Sequence, residues 1–108
     1  MQNPYFNDTE IAGLDETFVA VLTKARHRAG TPFVLTETVA TGGSHAANTS
    51  HGRGLGVDIR CHDSRSRFLI LEALFAIGFT RIGIYDRHLH VDFDSSLDQS
   101  VVWLGTSH

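Results

Sequence analysis

Between positions 88 and 93 the chain reads His-Leu-His-Val-Asp-Phe, and this strict alternation restricts what the segment can form. Side chains along a β-strand point to opposite faces in turn, so His88, His90 and Asp92 share one face while Leu89, Val91 and Phe93 share the other. Residues 56–60 repeat the pattern, with Gly56, Asp58 and Arg60 on one side and Val57 and Ile59 on the opposite side. Strands of this kind require a sheet with one greasy face, covered by other elements, and one polar face. Three ionisable residues in a row are unremarkable on a wet surface. Buried, they need a metal ion or a dense hydrogen-bond network, because uncompensated buried charge is costly.

The covering elements are legible. From Asp15, which is placed to cap a helix, Phe18, Val19, Leu22, Ala25, Arg26 and Ala29 follow helical spacing. Gly30 ends that helix and Pro32 prevents its resumption. A second helix is expected over 68–77, starting near Asp63 or Ser64 and ended by Gly78. Residues 33–39 and 56–60 read as strands, and 81–85 and 88–93 as two more around a short turn at Asp86-Arg87. That turn is too short for a parallel crossover, so the last pair is antiparallel. Residues 101–104 form an apolar patch of unassigned form. The expected fold is α+β, a mostly antiparallel sheet with helices packed on one face, in one domain spanning 1–108.

Composition narrows the function classes. The net charge of −3 and the absence of a basic stripe give no support to a nucleic-acid partner. Cys61 is the one cysteine, which precludes an internal disulfide and suits a small strand-end residue packing like a hydrophobe. The first 30 residues show no basic start followed by an apolar run, and no stretch approaches about 18 apolar residues, so neither a secretory signal nor membrane insertion is expected.

The chemistry concentrates around His51-Gly52-Arg53-Gly54-Leu55-Gly56-Val57-Asp58. Three glycines permit a sharp turn that would bring His51 and Asp58 to one point. Imidazole and carboxylate are both ordinary zinc ligands, and a catalytic zinc needs three protein ligands and an open position for water. His51, Asp58 and His90 supply such a set. Taken singly, each has a plainer role: a solvated loop histidine, a carboxylate paired with Arg60 or Arg81, a solvent-facing member of the His88–His90 pair.

Taken together, these residues resemble the zinc D-alanyl-D-alanine peptidases related to the hedgehog fold, which include cell-wall carboxypeptidases and phage endolysins. The signature residues are His51, Gly54, Gly56 and Asp58, followed by His90-Val91-Asp92. The flanks at 14–33 and 78–85, with Trp103 and Gly105 in the closing segment, extend the resemblance over nearly the whole chain. The resemblance implies a single Zn2+ held by His51, Asp58 and His90, a hedgehog/DD-peptidase-like fold, and hydrolysis of peptide bonds in bacterial peptidoglycan. It further implies a carboxylate base, for which Asp92 is the candidate and Asp86 the runner-up. His88 would stabilise the developing oxyanion or simply lie exposed.

Two departures matter. Relatives place an acidic residue three positions before the last histidine, where this chain has Arg87. They also carry an Arg that grips a substrate carboxylate at the end of the first strand, where this chain has Thr36-Glu37-Thr38-Val39. The second departure leaves room for an endopeptidase, or for another basic residue such as Arg53 in that role; His45, in the loop before His51, is a candidate to line the groove or an exposed loop histidine. The expected partner is a peptidoglycan peptide acted on by a monomer, reached after cytoplasmic synthesis by holin- or particle-mediated delivery to the wall. Competing expectations are a zinc-containing binding module that has lost catalysis and a structural component of a phage particle.

Overall fold

The computed structural model describes residues 3–38 and 53–106. They form a small compact α+β domain with a mixed five-stranded sheet and two helices, α1 (Glu16–Ala29) and α2 (Ser64–Ile77). The strands are β1 (Leu35–Glu37), β2 (Gly56–Arg60), β3 (Arg81–Ile84), β4 (His88–Asp92) and β5 (Val101–Leu104), in spatial order β1-β2-β4-β3-β5.

Both helices begin and end where their capping chemistry places them. The Asp15 carboxylate accepts the Phe18 backbone N–H at 3.0 Å, and Asp63 accepts that of Ser66 at 2.8 Å. Gly30 (φ 65°) and Gly78 (φ 111°) then end the helices in the left-handed region open to glycine. Phe18, Leu22 and Ala25 of α1 and Ile70, Ala73 and Leu74 of α2 share one buried core with Val57, Ile59, Ile82, Leu89 and Val91 of the sheet. The apolar alternate positions of β2 and β4 thus face the helices, and the polar ones lie on the opposite face. Cys61 joins this core, where burial pushes its thiol pKa up.

The sheet departs from the sequence expectation at one edge. β1–β2, β2–β4 and β3–β4 are antiparallel, but β5 runs parallel to β3. The unassigned patch 101–104 is therefore an edge strand, reached because residues 93–100 carry the chain from the end of β4 back to the start of β3. Among the described residues no helix is long and apolar enough to cross a membrane.

Candidate functional site

Strand register assembles the polar face. Glu37 pairs with Asp58, Asp58 with His90, His90 with Gly83, and Gly83 with Trp103. Residues paired across neighbouring strands share a face, so Glu37, Asp58, His90 and Trp103 form one row across all five strands. Asp58 and His90 come from distant parts of the chain, yet His90 Nδ1 lies 3.2 Å from Asp58 Oδ1. His88 Nε2 lies 3.7 Å from the other Asp58 oxygen, and its ring stacks on Tyr85 with centroids 4.3 Å apart.

The back of His90 is held by a second carboxylate. His90 Nε2 lies 2.7 Å from Asp92 Oδ2. Asp92 Oδ1 accepts from Arg81 Nε at 2.8 Å and from the Asp94 backbone N–H at 3.2 Å. Asp92 is 2% exposed, so both its oxygens are committed inside the protein. Burial alone would raise its pKa, but hydrogen bonds from His90 and Arg81 outweigh that and hold it below the usual carboxylate value. For His90, burial opposes the charged form, and the hydrogen bonds to Asp58 and Asp92 more than compensate, raising its pKa.

This arrangement poses a proton-counting problem. A neutral imidazole carries one N–H and one lone pair. If Nε2–H donates to Asp92, the Nδ1 lone pair faces a carboxylate oxygen, and two acceptors meet. Either a second proton or a cation must lie between Nδ1 and Asp58. The 3.2 Å spacing is that of an ordinary hydrogen bond between a charged imidazole and a carboxylate. Imidazole and carboxylate are both ordinary zinc donors, so the chemistry of the pair is compatible with a proton or with a zinc ion. Among the described residues no group of three or more His, Cys, Asp or Glu is arranged to hold a metal ion; the third expected ligand, His51, lies outside the described residues, as does His45.

The chain leading into β2 is firmly placed. Gly54 has φ 74°, and a Cβ there would sit 2.3 Å from the Gly13 carbonyl oxygen, so only glycine fits. Its own carbonyl accepts from Asp15 N at 2.9 Å, and the Leu55 carbonyl accepts from Phe93 N at 2.8 Å. Arg53, expected to grip substrate, donates from Nη2 to the buried Asp94 carboxylate. For Asp94, burial would raise the pKa, but bonds from Ser96 and Arg53 lower it overall. Asp86 lies exposed in the β3–β4 turn, where its backbone carbonyl accepts from Arg67 at 2.9 Å.

Sequence reasoning overlooked Glu37 and Asp94, and it considered Arg81 only as a partner for Asp58, where the structure pairs it with Asp92. Arg81 and Asp94 were detectable in principle, one facing Asp92 across β3–β4 and the other two residues beyond it. Glu37 depends on a register shift between Leu35 and Glu37, which no local pattern encodes. Among known proteins, the chain matches no family model, no curated protein and no solved structure.

Proposed function

We propose that the chain is a zinc-dependent peptidase of the hedgehog/DD-peptidase-like fold that hydrolyses peptide bonds in bacterial peptidoglycan, with His51, Asp58 and His90 holding the ion. The observation that carries this reading is His90 facing carboxylates with both ring nitrogens, one of them backed by Arg81 and the other on the accessible polar face. The helix–strand–strand–helix–strand–strand order supports the family reading, together with the motif at 51–58 and 90–92.

Bound there, zinc would lower the pKa of a water toward neutrality and polarise a substrate carbonyl. Asp92 orients His90 and fixes its tautomer; its burial and its engaged oxygens suit that role in place of the general-base role expected for it. Asp86 sits in the exposed turn and Arg87 carries the wrong charge, so the proton falls to His88. Its Nε2 is directed at Asp58 and its ring is braced by Tyr85. It would take the proton from the attacking water and return it to the leaving amine. Arg53 anchors the turn before β2 on Asp94.

The test is digestion of purified peptidoglycan by zinc-loaded protein, with new amines counted and fragments identified by mass. Release of peptide fragments that disappears in His88→Ala, with zinc retained, supports the reading. A second reading, a zinc-bearing binding module without catalysis, draws on Arg87 and on the committed state of Asp92. It predicts zinc binding and retention on peptidoglycan with no new amines.

A further inference from the structure

Helix α2 is apolar on two sides. Ile70, Ala73 and Leu74 enter the core, while Phe68 and Phe75, about two turns apart, are 67% and 49% exposed. Half-buried Leu71 lies between them. A surface helix ordinarily turns polar and charged groups outward. Single exposed apolar residues need no explanation, but a contiguous set marks a contact surface. Phe68, Leu71, Phe75 and Ala76 line one open groove together with Glu72. The surface continues onto α1, because Glu72 accepts from Arg28 Nη2 at 2.7 Å and from Nε at 3.1 Å. Beyond Arg28, a second concavity is formed by Pro4, Tyr5, Lys24 and Ile77. The Tyr5 ring is held there by a hydrogen bond to His27 and by the Arg26 guanidinium, 4.3 Å from its centroid.

Charge is segregated in the same sense. Helices α1 and α2 carry five Lys or Arg and two Glu, a net +3 in a chain whose net charge is −3. The helix layer is therefore locally cationic, while Asp58 and Asp92 lie on the opposite side of the sheet. From exposed rings set among local positive charge we propose that the outer face of the helix layer docks peripherally on a bilayer of anionic lipid. Phe68 and Phe75 enter the headgroup region, as the apolar face of an interfacial helix does. Lys24 and Arg65 meet the lipid phosphates. The charge also decides between occupants. A second copy packed through this face would set one cationic layer against another, and like charges across an interface suppress pairing. Docking in this way turns His90 and Asp58 away from the bilayer. The proposal stands independently of the metal.

The test is cosedimentation of the full chain with vesicles of phosphatidylglycerol and phosphatidylcholine in about equal parts, against vesicles of phosphatidylcholine alone. Retention is expected on the anionic vesicles, with loss in high salt. Phe68→Gln with Phe75→Gln should weaken it by about tenfold or more, and Lys24→Gln by about fivefold. All three side chains are exposed, so these variants keep the core, which circular dichroism verifies. Trp103 is the one tryptophan and shares the row of His90 on the far face. Its fluorescence should escape quenching by lipids with brominated tails while the protein is bound. No retention on anionic vesicles, equal retention on neutral ones, or binding indifferent to the phenylalanine substitutions overturns the proposal. Quenching of Trp103 overturns it as well. A dimer dispersed by the same substitutions, without vesicle binding, assigns the face to a second copy and overturns it too.

Discussion

His90 Nε2 and Asp92 Oδ2 lie 2.7 Å apart on alternate positions of one strand, and Arg81 closes the far side of the carboxylate at 2.8 Å. This relay fixes the imidazole so that Nδ1 faces Asp58. Weakening it should loosen the metal without abolishing the fold. Asp92→Asn keeps the shape and removes the charge, and the expected result is a loss of roughly 10–100-fold in zinc affinity, measured by competition with a chelating dye.

Arg81 should matter more for stability. Its side chain is 12% exposed and that of Asp92 1%, and Nη1 also donates to the Asp98 carbonyl at 2.6 Å. Removing Arg81 leaves the buried Asp92 carboxylate to His90 and one backbone N–H, so Arg81→Ala is expected to cost up to about 3–5 kcal/mol in urea unfolding. Arg81→Lys cannot reproduce the two-pronged contact and should recover only part of that loss.

Acid should destabilise the metal-free protein through identifiable carboxylates. The pKa values of Asp92 and Asp94 are lowered in the folded state. Their contribution is complete above the unfolded aspartate value of about 3.9 and is lost as pH falls through their lower folded values. His90 acts in the opposite sense. Its folded pKa is raised, so its contribution is complete below the unfolded histidine value of about 6.5 and is lost as pH rises through the folded value. Without metal, Tm should therefore fall on both sides of an interval between these limits. With saturating zinc, the alkaline decline should shrink, because the ion takes the place of the proton on Nδ1. Thermal melts from pH 2 to 9 check both limbs.

Two glycines in the left-handed region give a matched comparison. Gly30→Ala places a Cβ in open space at φ 65° and is expected to cost about 1–2 kcal/mol. Gly54→Ala meets the Gly13 carbonyl oxygen as well, so its cost should be clearly larger, and zinc affinity should fall with it because the turn before β2 is displaced. Equal costs in denaturant titrations would contradict the close approach described for Gly54.

Much of the fold was legible because the relevant forces are local. Asp15 and Asp63 announce helix starts, Gly30 and Gly78 announce the ends, and the alternation on β2 and β4 separates core from polar face. The parallel placement of β5 was not legible, since Val101–Leu104 reads as an apolar run whatever its neighbour. The pairing of Asp58 with His90 followed from motif and alternation. The commitment of Asp92 to Arg81 did not, because the role of a carboxylate depends on which cation the register sets opposite it. The pairing of Arg53 with Asp94, distant in sequence, was not legible for the same reason.

The central claim is that a cation belongs between His90 Nδ1 and Asp58. Metal content of the purified, untagged protein, measured by mass spectrometry of the elements after equilibration with limiting zinc, tests it directly. The account predicts about one zinc per chain, lost in Asp58→Ala, in His90→Ala and in His51→Ala. A folded wild-type protein that retains no zinc, or one whose zinc survives the loss of Asp58 and His90, would contradict it.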